Sequence, residues 1–190
     1  MCRSVSGWLG RVSKGWVALL FLVIFLLFTA VVLPDQASKA EASSGGAESP
    51  DTSFFYTAGD LSRMAQAYGE QGRQAYIHAR FTFDLLWPLV YTAFLCTSLS
   101  WLNRRAFPAD SPWQRMNLVP LAAMLLDLLE NISTSLVMAQ YPAPVPLAAA
   151  LAPFFTLAKW ILVTGSILLL LIGLGVVVWR WLRGSLRKAA

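Results

Sequence analysis

The sequence predicts an all-α integral membrane protein, with four transmembrane helices in a bundle and a short external amphipathic helix. Three observations predict it. The 190 residues are 57% hydrophobic and 13% charged, against roughly 45–50% apolar and about 25% charged in soluble domains, and the mean hydropathy is +0.58. The apolar residues gather into four runs near the roughly 20-residue length that a helical span needs. Basic residues and tryptophans flank those runs, as they do at membrane interfaces.

Residues 1–16 form a cytoplasmic N-terminal segment with Arg3, Arg11 and Lys14 and no acid. The first span covers 17–33. It is longer than the usual 7–15-residue core of a signal peptide, which favours an uncleaved anchor, although Ala37, Ala40 and Ala42 offer small-residue cleavage sites. Residues 34–56, rich in Ala, Ser, Gly and acids, read as a flexible external linker. In the external region 57–80, Thr57-Ala-Gly-Asp60 has the pattern of a capping box, and Leu61, Met64, Ala65 and Tyr68 recur at helical spacing. This face would lie on the membrane or cover the mouth of the bundle. A helix from Glu70 is expected to run unbroken into the second span, 81–102, where Pro88 would kink it and free a carbonyl near Asp84.

The cytoplasmic loop 103–115 ends in Ser111-Pro112-Trp113-Gln114, an N-cap, a proline at the first helical position and a capping-box glutamine. The third span is 116–139. Three prolines between Tyr141 and Pro146 make 140–153 an external turn, with the stretch before Pro153 bent or interfacial. The fourth span, 154–178, leads into a basic tail, 179–190.

Three basic residues precede the first span, three lie in 103–115 and four follow the last span, whereas 35–80 holds six acids against four bases. The positive-inside rule therefore places both termini in the cytoplasm. The two cysteines make no disulfide framework.

The functional signal is the set of charges inside the runs. A charged side chain at membrane depth costs roughly 2.5 kcal/mol or more, so such groups face a protein interior or a wet cavity and have partners. Asn117, Pro120, Met124, Asp127, Glu130, Asn131 and Thr134 share one stripe of the third helix. Arg73, Tyr76, Arg80, Asp84, Trp87, Pro88 and Tyr91 share one on the second, and Thr156, Lys159 and Ser166 one on the fourth. At about 1.5 Å per residue the charges fall at similar depths, in the outer half of the bilayer or near its midplane. Lys159 is expected to pair with Asp127 or Glu130 and Arg80 with Asp84, leaving one surplus carboxylate. The ligand-pocket candidates are Arg73, Tyr76, Arg80, Asp84, Trp87, Tyr91, Asp127, Glu130, Asn131 and Lys159, with Trp160 a further aromatic wall.

Four functions are compatible with this pattern. The first is a pocket for a lipid or small amphipathic ligand. The second is an intramembrane carboxylate- or metal-dependent enzyme acting on a lipid. The third is a structural protein whose buried charges are interhelical glue, and the fourth a proton-coupled transporter working as a homo-oligomer. No H-E-x-x-H, G-x-S-x-G, C-x-x-C or glycine-rich phosphate loop is present, so no metal ligands, catalytic set or cofactor can be assigned. His78, the only histidine, reads as a surface residue. No basic and aromatic groove lies outside the membrane flanks, which argues against nucleic acid as a partner.

Tyr68-Gly69-x-x-Gly72-Arg73-x-x-Tyr76, Asp84-x-x-x-Pro88-x-x-Tyr91 and Asp127-x-x-Glu130-Asn131 together resemble a group of uncharacterised bacterial four-span membrane proteins, over roughly residues 55–180. The resemblance implies residence in the bacterial plasma membrane and no particular activity. A fainter likeness is to the emopamil-binding and sigma-2-type proteins, four-helix bundles with acidic residues in a membrane-embedded sterol or amine pocket. That likeness would give Asp84 and Glu130 the acidic roles. The first span here lacks an intramembrane acid, and a long insert separates spans one and two.

Overall fold

The computed structural model describes residues 2–50 and 53–189. Asp51 and the side chains of Arg3, Arg187 and Lys188 lie outside the described part. Among the described residues every regular element is helical. Four helical stretches among the described residues, 15–44, 69–106, 112–140 and 146–183, are long and apolar enough to cross a membrane.

α1 (Cys2–Val12) leads through a two-residue break into α2 (Gly15–Leu27). A π-helical turn, Phe28–Val32, joins α2 to α3 (Leu33–Ser44) without interrupting the rod. Within it Thr29 Oγ1 donates to the Phe25 carbonyl at 2.8 Å. The first half of the expected linker is therefore helical. Pro34 lies in the first turn of α3, directly after the π turn, and having no N–H makes no bond back to that turn. Asp35 and Lys39 pair one turn apart at 2.7 Å, and the helix stops at Gly45, whose φ of 62° suits a residue without Cβ.

α4 (Ala58–Ala67) begins at the expected capping box: the Asp60 N–H donates to Thr57 Oγ1, and the Thr57 N–H donates to the Asp60 carboxylate. Its buried residues Leu61, Met64 and Ala65 pack against α7 and α8, so α4 covers the ends of those helices. Gly69, at φ 62°, turns the chain into α5 (Gly69–Arg80). α5 and α6 (Phe83–Ala106) are not one unbroken helix. Phe81 and Thr82 break it, and Thr82 Oγ1 takes up the His78 carbonyl at 2.7 Å, closing α5.

The third long stretch starts as a 3-10 turn, Pro112–Leu118, before α7 (Val119–Gln140). Ser111 caps it through the Trp113 N–H (3.3 Å). Gln114 does not close a capping box; its Nε2 is directed at the carbonyls of Asn103, Phe107 and Pro108 at the end of α6. α8 runs from Pro146 to Ala189 as a single helix, so 146–153 is helical rather than turn. Pro146 occupies the permissive first position, and Pro153 costs one internal hydrogen bond without ending the helix.

α7 and α8 pack along each other, α6 lies against both, and α2 packs on α6. The α2–α6 seam is aromatic. Phe25 stacks on Trp87 and Phe94 (5.7 and 4.7 Å between centroids), and Phe28 on Phe83 and Trp87 (5.6 and 5.7 Å). Such pairs add about 0.5–1.5 kcal/mol each beyond area burial. Outward rows such as Leu125, Leu129, Ile132 and Leu136 on α7 remain exposed.

Candidate functional site

The polar stripe of α7 faces inward. Asn117, Pro120, Asp127, Glu130, Asn131 and Thr134 are buried and Met124 is half-buried, on the side turned away from the exposed leucines. Six side chains from four parts of the chain meet around it. Lys159 of α8 lies between the two carboxylates one turn apart on α7, with Nζ 3.3 Å from Asp127 Oδ1 and in contact with Glu130 Oε2. Tyr91 of α6 donates its hydroxyl to Asp127 Oδ2 at 3.0 Å. Thr156, one turn before Lys159, donates to Glu130 Oε1 at 2.7 Å, and the Tyr56 hydroxyl lies 2.9 Å from Thr156 Oγ1. Glu130 is only 1% exposed. Carboxylates this deep persist only where charge and hydrogen bonds replace the lost water, and Lys159, Tyr91 and Thr156 supply them.

A second ion pair lies toward α5. Arg80 and Asp84 meet at 3.0 Å, and the Arg80 guanidinium rests 4.5 Å from the centre of the Tyr76 ring. Asn131 joins the two clusters by donating to the Asp84 main-chain carbonyl at 3.2 Å. That carbonyl would have bonded to residue 88, where proline has no N–H.

Beside these clusters is a cavity of about 1590 Å³ between α2–α3 and α8, with α5 and α6 along its length. It exceeds the roughly 300–1,000 Å³ typical of small-molecule pockets. One end is polar, with Lys39, Glu41, His78, Arg80 and Asp84 on its lining; the other is apolar, with Phe25, Phe94, Val163, Ile167 and Leu170. Among the described residues three cations and four acids line it, a surplus of acid in a chain of formal charge +5. Along α6 the lining reaches from Phe83 to Leu95, about 18 Å at ~1.5 Å per residue.

Of the ten sequence candidates, Tyr76, Arg80, Asp84, Trp87, Tyr91, Asp127 and Lys159 line this cavity, as does Trp160. Glu130 and Asn131 belong to the same polar network but are not part of the lining. Arg73 is elsewhere: it donates to the Ala65 carbonyl (3.0 Å) and covers the Tyr141 ring (4.9 Å), fastening α5 to α4 and to the α7–α8 turn. His78 is exposed at the polar end. Tyr56 escaped sequence reasoning. Its signal was its place just before the N-cap Thr57, where an apolar residue packs on the one four positions into the helix; Tyr56 and Leu61 indeed share one buried cluster.

The chain matches no protein-family model, no curated protein and no solved structure.

Proposed function

We propose that this is a multi-pass membrane protein that binds a lipid or small amphipathic ligand in the cavity between α2–α3 and α8. The observation that carries the reading is the cavity's division into a charged end and an aromatic and aliphatic end. Along the α2–α3 rod its lining runs from Phe25 to Ser44, about 28 Å at ~1.5 Å per residue, comparable to the ~30 Å hydrocarbon core of a bilayer. A headgroup would lie near Arg80 and Asp84, with a chain running past Trp87 and Phe94 toward Leu170. The surplus of acid on the lining disfavours an anionic headgroup.

The positive-inside pattern orients the protein with both termini in the cytoplasm and the polar end in the outer leaflet, in the plasma membrane of a bacterium. The polar network then has two parts. Glu130, Thr156 and Tyr56 hold α7, α8 and the segment before α4 together, while Asp127, Tyr91 and Lys159 present the same network to the cavity. Interhelical glue accounts for the first group and leaves the second group's access to a cavity without a purpose.

The test is mass spectrometry of lipids retained by the full-length protein purified in mild detergent, compared with Val163→Trp, which fills the apolar end. The wild type should retain a defined amphipathic species that the variant loses. Equal and unselective lipid content in both would overturn the proposal.

A further inference from the structure

The N-terminal helix α1 carries a surface that the cavity reading does not use. Its residues divide into three sectors around the helix. Ser6 and Gly10 are buried, as is Ser13 just beyond the helix end. This side is clasped by the protein: Ser6 Oγ donates to the Gln114 carbonyl (2.9 Å), Asn117 Nδ2 donates to the Ser6 carbonyl (3.3 Å), and Arg104 donates to the Gly10 carbonyl. Ser4, Gly7 and Arg11 are exposed and polar or small. Between these sectors, at i, i+3 and i+7, lie Val5, Trp8 and Val12, exposed to 38%, 55% and 40%. An exposed apolar stripe with Trp at its centre and arginine at its edge is the pattern of a helix lying in a membrane interface.

We infer that α1 lies in the plane of the membrane surface, with Val5, Trp8 and Val12 inserted among the lipids of an anionic leaflet. Three features identify the occupant as lipid rather than protein. α1 joins the first membrane-length helix through only Ser13 and Lys14, which fixes it at the level where that helix would leave the hydrocarbon. Trp16, 66% exposed, extends the apolar side across the break. Arg11 and Lys14 are exposed beside it, and no acid precedes Asp35, so the surface is complementary to anionic phospholipid. The same end of the molecule carries Arg104, Arg105 and Arg115, so the leaflet is the one the positive-inside pattern makes cytoplasmic. Asn117 also donates to Ser100 Oγ (2.8 Å), so α1 is tied to both α6 and the start of α7 and cannot swing freely into water.

The experiment is a nitroxide scan of the full chain in nanodiscs, in a Cys2→Ser, Cys96→Ala background, with single labels at positions 4, 5, 7, 8, 11 and 12. Oxygen and a water-soluble relaxation agent report depth. Labels at 5, 8 and 12 should be reached mainly by oxygen and those at 4, 7 and 11 mainly by the aqueous agent. In discs containing phosphatidylglycerol, Arg11→Gln with Lys14→Gln should make position 8 more accessible to the aqueous agent; the same pair should change nothing in phosphatidylcholine alone. Six labels of equal accessibility, or aqueous exposure at 5, 8 and 12, would overturn the interfacial placement. An indifferent response to the charge removal in phosphatidylglycerol would overturn the anionic preference. None of these readouts depends on the cavity.

Discussion

Asn131 of α7 donates to the main-chain carbonyl of Asp84 on α6 at 3.2 Å, filling the bond that Pro88 cannot make. A side chain thus takes the place of a backbone donor, and the contact locks α6 to α7 at the level of the Arg80–Asp84 ion pair. Asn131→Leu should leave that carbonyl without its donor and destabilise the protein by about 1–3 kcal/mol. In a Pro88→Ala background the alanine N–H restores the helical bond, so the same substitution should cost distinctly less. Denaturant unfolding of the four proteins in detergent gives the coupling energy, and additive costs would refute the substitution of one donor for the other.

Lys159 serves two carboxylates at once, and that sharing predicts a large asymmetry between single and combined substitutions. Lys159→Met removes the cation between Asp127 and Glu130, and breaking one side of a buried charge cluster costs about 3–5 kcal/mol. Replacing all three with neutral side chains of similar shape, Lys159→Met with Asp127→Asn and Glu130→Gln, should recover most of that loss. The midpoint of SDS-induced unfolding reads both. A triple variant as unstable as the single one would mean that the cluster's charges are not what holds α7 to α8.

How much of this arrangement was legible in the sequence depends on the range of the interaction. The inward stripe of α7 and the pairing of Lys159 with Asp127 or Glu130 were readable because helical spacing fixes which side chains share a face, and buried charges must find partners; that Lys159 bridges both carboxylates, leaving neither as the surplus one expected, was not. The bond freed by Pro88 was readable for the same local reason, but not its donor, Asn131, which is 47 positions from Asp84. The helical course of 34–44 was hidden behind a composition rich in Ala and Ser, which suits a tether as well as a helix; packing of α3 on α5 decides between them. The break at Phe81–Thr82 went unseen because a Thr hydroxyl that closes a helix looks the same in sequence as one that faces solvent. The cavity was inferred only as a convergence of polar side chains. Its apolar half depends on how α2 sits on α6, which aromatic spacing alone does not fix.

At the other end of the size scale, the capping box of α4 makes that helix sensitive to acid. Hydrogen bonds from the Thr57 side chain and backbone hold the Asp60 carboxyl below its ordinary value of 3.8. A group whose folded-state pKa is depressed stabilises the fold above its unfolded value, and that contribution disappears as pH falls through the folded value. α4 should therefore keep its protection at pH 5 and above and lose it only at pH below about 3.8. Thr57→Ala removes the main cause, so Asp60 should titrate closer to 3.8 and α4 should exchange its amides faster at every pH. Hydrogen exchange of peptides covering 57–68 measures this, and an Asp60 titration unmoved by Thr57→Ala would rule the cap out as its cause.

Gly72 gives a prediction whose sign is the test. Replacing glycine by alanine inside a helix ordinarily stabilises by roughly 0.5–1 kcal/mol, because alanine loses less backbone freedom on folding. At position 72 the added methyl would lie 2.7 Å from the Ser43 carbonyl oxygen and 3.2 Å from Tyr68 Cβ. The closer atom is backbone, so it can retreat only if the end of α3 moves off α5. Overpacking of this kind typically costs about 1–3 kcal/mol, which outweighs the helical gain. Gly72→Ala should therefore lower the melting temperature by a few degrees, at roughly 2–4 °C per kcal/mol for a chain of this size. Ser43 and Ser44 line the polar end of the cavity, so the displacement of α3 should also raise the labelling rate of a cysteine placed at Ser44, which is buried in the native structure. A variant more stable than the wild type, with Ser44→Cys still protected, would mean that α3 does not close on α5 through Gly72.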